Sequence, residues 1–190
     1  MRKMMLWAAA PLVLLTAAAC QRVEETPAEA ETGMAEPSSR TLAASLDDDF
    51  DAFNGIVENS GLAAVLEGVG PYTVFAPADA ALETAGDLTE DAMSAQAAAL
   101  LRAHIVPGAS TRDDILAALE READGNVQMR TMADTLLTFT REGETVIVTA
   151  PDGSSGRLTG EETVASNGVI QPVDGLLLAA TEPSTTEASD

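Results

Sequence analysis

The chain has a single histidine, His104, and a single cysteine, Cys20, and together they bound the chemistry open to it. A general base or a metal site at His104 would need partners, and no second His is present to supply one. Its neighbours suggest another task. Leu100 and Leu101 precede it at helical spacing, so the three share an apolar helix face and the expectation is a buried histidine bridging structural elements. Asp47, Asp49, Asp51 and Glu58 fall on the first, third, fifth and twelfth positions of an EF-hand calcium loop. Ala52 holds that loop's glycine position, however, and the helical stripe Phe50, Phe53, Val57 runs straight through it. The preferred reading is an acid-rich helix N-terminus, favourable with the helix dipole. Neither a G-x-S-x-G elbow nor a phosphate-cradling glycine loop occurs. No catalytic residue, metal ligand or cofactor is expected.

Charge narrows the partners. Over 190 residues there are 10 Lys+Arg against 31 Asp+Glu, a formal charge of −21. Such a chain repels phosphate backbones and anionic headgroups, because binding to either relies on Lys and Arg displacing counterions. Nucleic acid is excluded as a partner. With 46% hydrophobic residues the chain carries enough apolar material for a folded core, and a lone Cys excludes an intrachain disulfide.

The N-terminus reads as an address. Arg2 and Lys3 precede an apolar stretch, Met4 to Ala19, that Pro11 interrupts and that falls short of the ~20 apolar residues of a spanning helix. Residues 1–19 are expected to be a signal peptide. Ala17-Ala18-Ala19 leads directly into Cys20, which resembles the lipobox of bacterial lipoproteins. That resemblance implies lipid attachment at Cys20 and export to the cell envelope, with the membrane touched only through the lipidated N-terminus. Gln21, standing where an Asp would favour inner-membrane retention, implies the outer membrane. A periplasmic or secreted soluble protein and an uncleaved anchor are the alternatives. Residues 20–40 are rich in Glu, Ala, Thr and Pro and are expected to be an extended acidic tether. Residues 181–190 repeat that composition as a loose tail, leaving 41–180 as the folded domain.

Elements that must position any site follow from periodicity. Phe50, Phe53, Ile56 and Val57 mark a helix, and Leu62, Val65 and Leu66 a second, ending at Gly68. Tyr72 to Phe75 is a short β run. A helix carrying Met93, Ala97, Leu100, Leu101 and His104 is expected to start near Thr89 and stop before Pro107-Gly108. Thr111 with Asp114 spells a capping box. Leu136–Arg141 and Glu144–Thr149 read as a hairpin through Glu142-Gly143, Asn167-Gly168 as a tight turn, and Val173–Leu178 as a final buried strand. Asp79 is expected to cap the helix after Pro77, and Asp174 to tie a turn to a sheet. Helices first and strands mostly later give an α+β class.

Three segments carry a more specific resemblance. Residues 73–82 (TVFAPADAAL), 100–108 (LLRAHIVPG) and 167–177 (NGVIQPVDGLL) resemble, in order, the first signature, the central tyrosine-histidine segment and the second signature of fasciclin domains. The resemblance implies a single-domain wedge of β-strands with helices packed on it. It makes Thr73, Phe75, Pro77, Asp79, His104, Pro107, Gly108, Asn167, Gly168 and Asp174 signature positions of structural character. It also implies a non-catalytic binding or adhesion module, monomeric, that recognises a protein or extracellular-matrix partner. The alternative is a small apolar ligand held in a groove. Ala103 stands where the family has Tyr, and Gln171-Pro172 where it has His and a hydrophobic residue. Glu162-Thr163 takes the place of an Asp-Ile integrin-binding pair, and no Arg-Gly-Asp occurs, so integrin recognition does not carry over.

Replacing Cys20 with Ser removes the only thiol able to accept a lipid. The protein is then expected to move from the detergent phase to the aqueous phase in a detergent separation. Wild-type protein found in the aqueous phase would refute the anchor.

Overall fold

The computed structural model describes residues 38–46, 50–86 and 88–177. Cys20, the expected signal peptide, most of the expected tether and the expected tail lie outside the described residues. Within them, α1 (Leu42–Leu46), α2 (Asp51–Asn59) and α3 (Ala63–Glu67) precede strand β1 (Tyr72–Pro77). Then come α4 (Asp79–Leu82), α5 (Ser94–His104), β2 (Ile105–Pro107) and α6 (Arg112–Arg121). The chain continues through β3 (Asn126–Arg130), β4 (Leu136–Glu142), β5 (Thr145–Thr149), β6 (Ser155–Arg157), β7 (Thr163–Ala165) and β8 (Gly168–Val173).

The strands form two sheets of four, in the orders β2-β1-β8-β7 and β3-β4-β5-β6. In the first, β1 and β8 run parallel, Tyr72 opposite Gly168 through Pro77 opposite Val173. The second is an antiparallel meander. All three signature segments therefore contribute neighbouring strands of one sheet.

Strand alternation divides the core in two. Val74 and Ala76 of β1, Ile105 of β2 and Ile170 of β8 face the helices, joining Leu42, Phe53, Leu66 and Leu101 in one buried cluster. Phe75, Val106 and Val173 point the other way and join Ile115, Leu137, Phe139 and Val148 in a second. The first sheet thus lies between the helical layer and the second sheet with α6, buried on both faces. That explains why β1 reads as a continuous apolar run instead of an alternating one. The rings of Phe75 and Phe139, 5.4 Å between centroids, join the two sheets. Each fully buried aromatic of this kind contributes about 2–3 kcal/mol.

The helices follow their stripes. α2 buries Phe53, Ile56 and Val57; α5 buries Ala97, Leu100, Leu101 and His104. At α6 the capping box forms as expected: the Thr111 hydroxyl accepts the Asp114 N–H and the Asp114 carboxylate accepts the Thr111 N–H. The Thr111 hydroxyl also donates to the Asp114 carboxylate at 2.6 Å, and this bond, with that from the Thr111 N–H, holds the Asp114 carboxyl below its ordinary range.

Three expectations need correction. α5 begins at Ser94, not near Thr89, because Asp91–Met93 form a 3-10 turn ahead of it. Gly168 opens β8 instead of lying in the turn. Val173–Leu178 is not a strand: β8 ends at Val173. Beyond it the Asp174 N–H turns to the Arg157 carbonyl, and Gly175 packs so closely on Ser155 and Gly156 that a Cβ there would strike backbone. Leu177 is buried all the same, through a contact outside any ladder; Leu178 lies outside the described residues.

The close approach of β1 and β8 leaves no side-chain space at Gly168, whose Cβ would run into the Tyr72 carbonyl oxygen and the Leu42 side chain. Gly168→Ala is expected to lower stability by about 3 kcal/mol, measured by urea denaturation.

Candidate functional site

His104 is where the sequence concentrates its chemical potential, and the fold absorbs it. The ring is fully buried at the last turn of α5. Its Nδ1–H donates to the Leu100 carbonyl, 2.8 Å away, and its Nε2 accepts the Leu177 N–H at 3.1 Å. The Phe53 ring lies 6.2 Å from it, centroid to centroid. Both nitrogens are thus engaged by backbone, which sets the Nδ1–H tautomer because a carbonyl can only accept. Burial pushes the pKa down from 6.5 to about 4, the Leu100 hydrogen bond opposing it. A neutral imidazole without access to solvent can neither bind substrate nor exchange protons with one.

The other signature side chains are brackets between distant segments. The buried Thr73 hydroxyl donates to the Gly108 carbonyl (2.7 Å) and accepts the Ser110 N–H (2.9 Å), fixing the exit of β2. Gly108 makes that exit at φ 106°, a conformation open chiefly to glycine. Its N–H bonds the Pro71 carbonyl. The Asn167 amide holds two helices: its oxygen accepts the Leu42 N–H at the start of α1, and its NH2 donates to the Leu66 and Gly68 carbonyls at the end of α3. The Asp174 carboxylate accepts the Arg157 N–H at 2.6 Å and so ties the end of β8 to β6. Phe75 and Pro77 are buried in β1, whereas Pro107 is exposed at the end of β2.

Asp79 departs from expectation. The N-cap of α4 is Ala78, with no side-chain capping bond; Asp79 is the first helical residue and exposed. The EF-hand spacing is also set aside, because Asp51 through Glu58 lie inside α2 and not in a loop. Asp47 and Asp49 lie outside the described residues.

One constellation escaped sequence reasoning. Gln171, fully buried in β8, donates to the Glu162 carboxylate and accepts from Arg112 Nη2 at 3.1 Å. Glu162 also accepts the Arg112 N–H at 2.6 Å, so a carboxylate receives the first N–H of α6, where the helix dipole favours it. Arg112 further donates to the Gly160 and Thr159 carbonyls. A Gln in the middle of an apolar strand was the available signal, since a buried amide needs partners.

Among the described residues, two apolar grooves open to solvent. One, about 500 Å³, lies between the edge strands β2 and β3, with Val106, Pro107, Val127 and Met129 among its lining and Ser110, Gln128, Arg130 and Thr131 as polar groups. The other, about 260 Å³, lies between α2 and α4, lined by Ala52, Ile56, Leu82 and Leu88 with the acids Asp79 and Glu83. No group of three or more His, Cys, Asp or Glu among the described residues is placed to hold a metal ion. No described helix is long and apolar enough to cross a membrane.

Comparison with known proteins agrees with this geometry. The fasciclin domain family model matches residues 48–179. Human stabilin-1 is 32% identical over 136 residues, which are 70% of this chain and 5% of stabilin-1; mouse stabilin-1 matches with the same identity and coverage. The chain thus spans a small part of the curated relatives it matches. Among solved structures, a FAS1 domain pair from the insect cell adhesion molecule fasciclin I aligns with a TM-score of 0.56 at 18% identity. The alignment covers 69% of this chain and 45% of that one, and it establishes the fold.

His104 makes stability depend on pH. Its folded pKa of about 4 lies below the ordinary 6.5, so the unfolded chain binds the proton more readily. The neutral ring's contribution is complete above pH ~6.5 and is lost as pH falls towards ~4, amounting to about 3 kcal/mol. His104→Gln, which does not titrate, is expected to cost about 1–3 kcal/mol at neutral pH. In urea melts at successive pH values, the gap between wild type and variant should narrow across that window. A constant gap would refute the linkage.

Proposed function

This chain belongs to the fasciclin-domain family, and from that premise we propose that it is a non-catalytic binding or adhesion module recognising a protein or matrix partner. It is exported and attached to the cell envelope, at the outer membrane, through a lipid on Cys20. Residues 20–40 form the tether that holds a folded unit of residues 41–180 off the membrane.

The observation that carries the non-catalytic part is His104. The single histidine spends both ring nitrogens on the Leu100 and Leu177 backbone. Thr73, Asn167 and Asp174 do the same with Gly108, Leu42, Leu66 and Arg157. What remains for function is surface, and partner recognition is what a surface does.

A second reading, a small apolar ligand, draws on the groove between β2 and β3, whose volume of about 500 Å³ lies within the ~300–1,000 Å³ of ligand pockets. One experiment separates the two. The full chain carrying Cys20→Ser is immobilised and exposed to envelope extract, with and without Met129→Arg at that groove. The expected result is saturable capture of one envelope or matrix protein, competed by free chain and unaffected by Met129→Arg. Capture of a lipophilic small molecule, abolished by Met129→Arg, would replace the first reading with the second.

A further inference from the structure

We propose that the groove between α2 and α4 docks a Lys- or Arg-rich segment of a partner protein, one cationic side chain lying along it with its stem on the apolar floor and its head at the acidic rim. The inference rests on the binding-module reading and names the surface used and the charge of its partner.

The groove's chemistry is two-part. Ile56, Leu82 and Leu88 are nearly fully buried and make an apolar floor, while Asp79 and Glu83 are exposed at its rim. At about 260 Å³ it is smaller than the ~300–1,000 Å³ of small-molecule pockets and suits a single side chain. Lys and Arg match this pattern better than any other residue: an aliphatic stem covers apolar surface while the cationic head stays at a wet, acidic edge. An acidic or purely apolar occupant would leave one part unmatched.

Charge over the surrounding surface selects the same partner. From Thr41 to Leu101 the sequence contains no Lys or Arg at all, yet it holds Asp51, Glu58, Glu67, Asp79, Glu83 and Glu90, all exposed. The ion pairs described lie elsewhere: Arg130–Asp134, Arg141–Glu120 and Arg157–Asp174. With Arg102 at the end of α5 as its one basic residue after Arg40, the helical layer presents an excess of negative charge, which steers a basic surface toward the groove and repels acidic ones. The groove supplies the anchoring pocket around which interface energy concentrates.

The test uses the full chain with Cys20→Ser and, as probes, a peptide alternating Lys and Leu and its counterpart with Glu in place of Lys, by calorimetry at low salt. Asp79→Asn with Glu83→Gln removes two charges at the groove; Glu142→Gln with Glu144→Gln removes two from the distant β4–β5 hairpin. All four residues are exposed, and unchanged melting temperatures confirm folding. The proposal expects the Lys peptide to bind and the Glu peptide not to. The groove pair should weaken binding about tenfold or more, and the hairpin pair less than about twofold. Equal loss in both pairs means attraction to net charge only and overturns the groove. Equal binding of the Glu peptide means apolar docking and overturns the cationic partner; no binding of the Lys peptide overturns both. In the envelope capture experiment, a partner retained by wild type and equally by the groove variant sinks this inference and leaves the binding-module reading standing. No saturable capture by wild type sinks that reading itself.

Discussion

The parallel pairing of β1 with β8 is the constraint on which the rest of this fold depends. It is the one parallel pair among the described strands, and it brings together segments from opposite halves of the domain. Parallel strands are stable chiefly when both faces are covered, and here the helices cover one and the second sheet with α6 the other. Each flanking layer is held to this pair by a polar bracket. Asn167 reaches Leu42 and Leu66 in the helical layer, and Asp174 reaches Arg157 in the second sheet. Thr73 fixes the return from β2.

His104 belongs to the same scheme. By accepting the Leu177 N–H it holds the segment after β8 against the end of α5, where no ladder satisfies that donor. A buried donor left without a partner costs about 1–3 kcal/mol, which gives the neutral ring its structural worth. Protonation would turn the accepting nitrogen into a second donor facing Leu177. The residue is therefore a stabiliser whose contribution depends on remaining uncharged.

With Thr73, His104, Asn167 and Asp174 spent on cohesion, recognition is left to the outer layers, and these differ in character. The second sheet and α6 carry arginines that meet acids in exposed pairs, each contributing about 0–1 kcal/mol. The helical layer carries acids without any base between Thr41 and Leu101. The asymmetry offers little to stability, because like charges on one surface repel, and its physical consequence is the selection of oppositely charged neighbours. The Gln171–Glu162–Arg112 cluster, buried at Gln171 and half-buried at the other two, behaves differently: its hydrogen bonds run among its own members and bind α6 to β8.

The amino-acid sequence by itself determined the elements whose signals are local. The stripe of α2, the capping box at Thr111 and the β4–β5 hairpin around Gly143 are encoded within a turn or two of chain, so periodicity and capping chemistry suffice. The inward face of His104 was legible for the same reason, and the three signature segments announced the family. Only the tertiary structure decided what depends on partners distant in sequence. It ended β8 at Val173, because the close packing of Gly175 on Ser155 and Gly156 turns the chain away although Leu176 and Leu177 read as strand. It gave the capping place at α4 to Ala78 and left Asp79 at a groove rim, a choice set by how β1 enters the helix. It also gathered Gln171, Glu162 and Arg112 from three segments. Local pattern records what a residue prefers; which groups meet is settled by the long-range pairing of β1 and β8, and that pairing is absent from any short stretch of the chain.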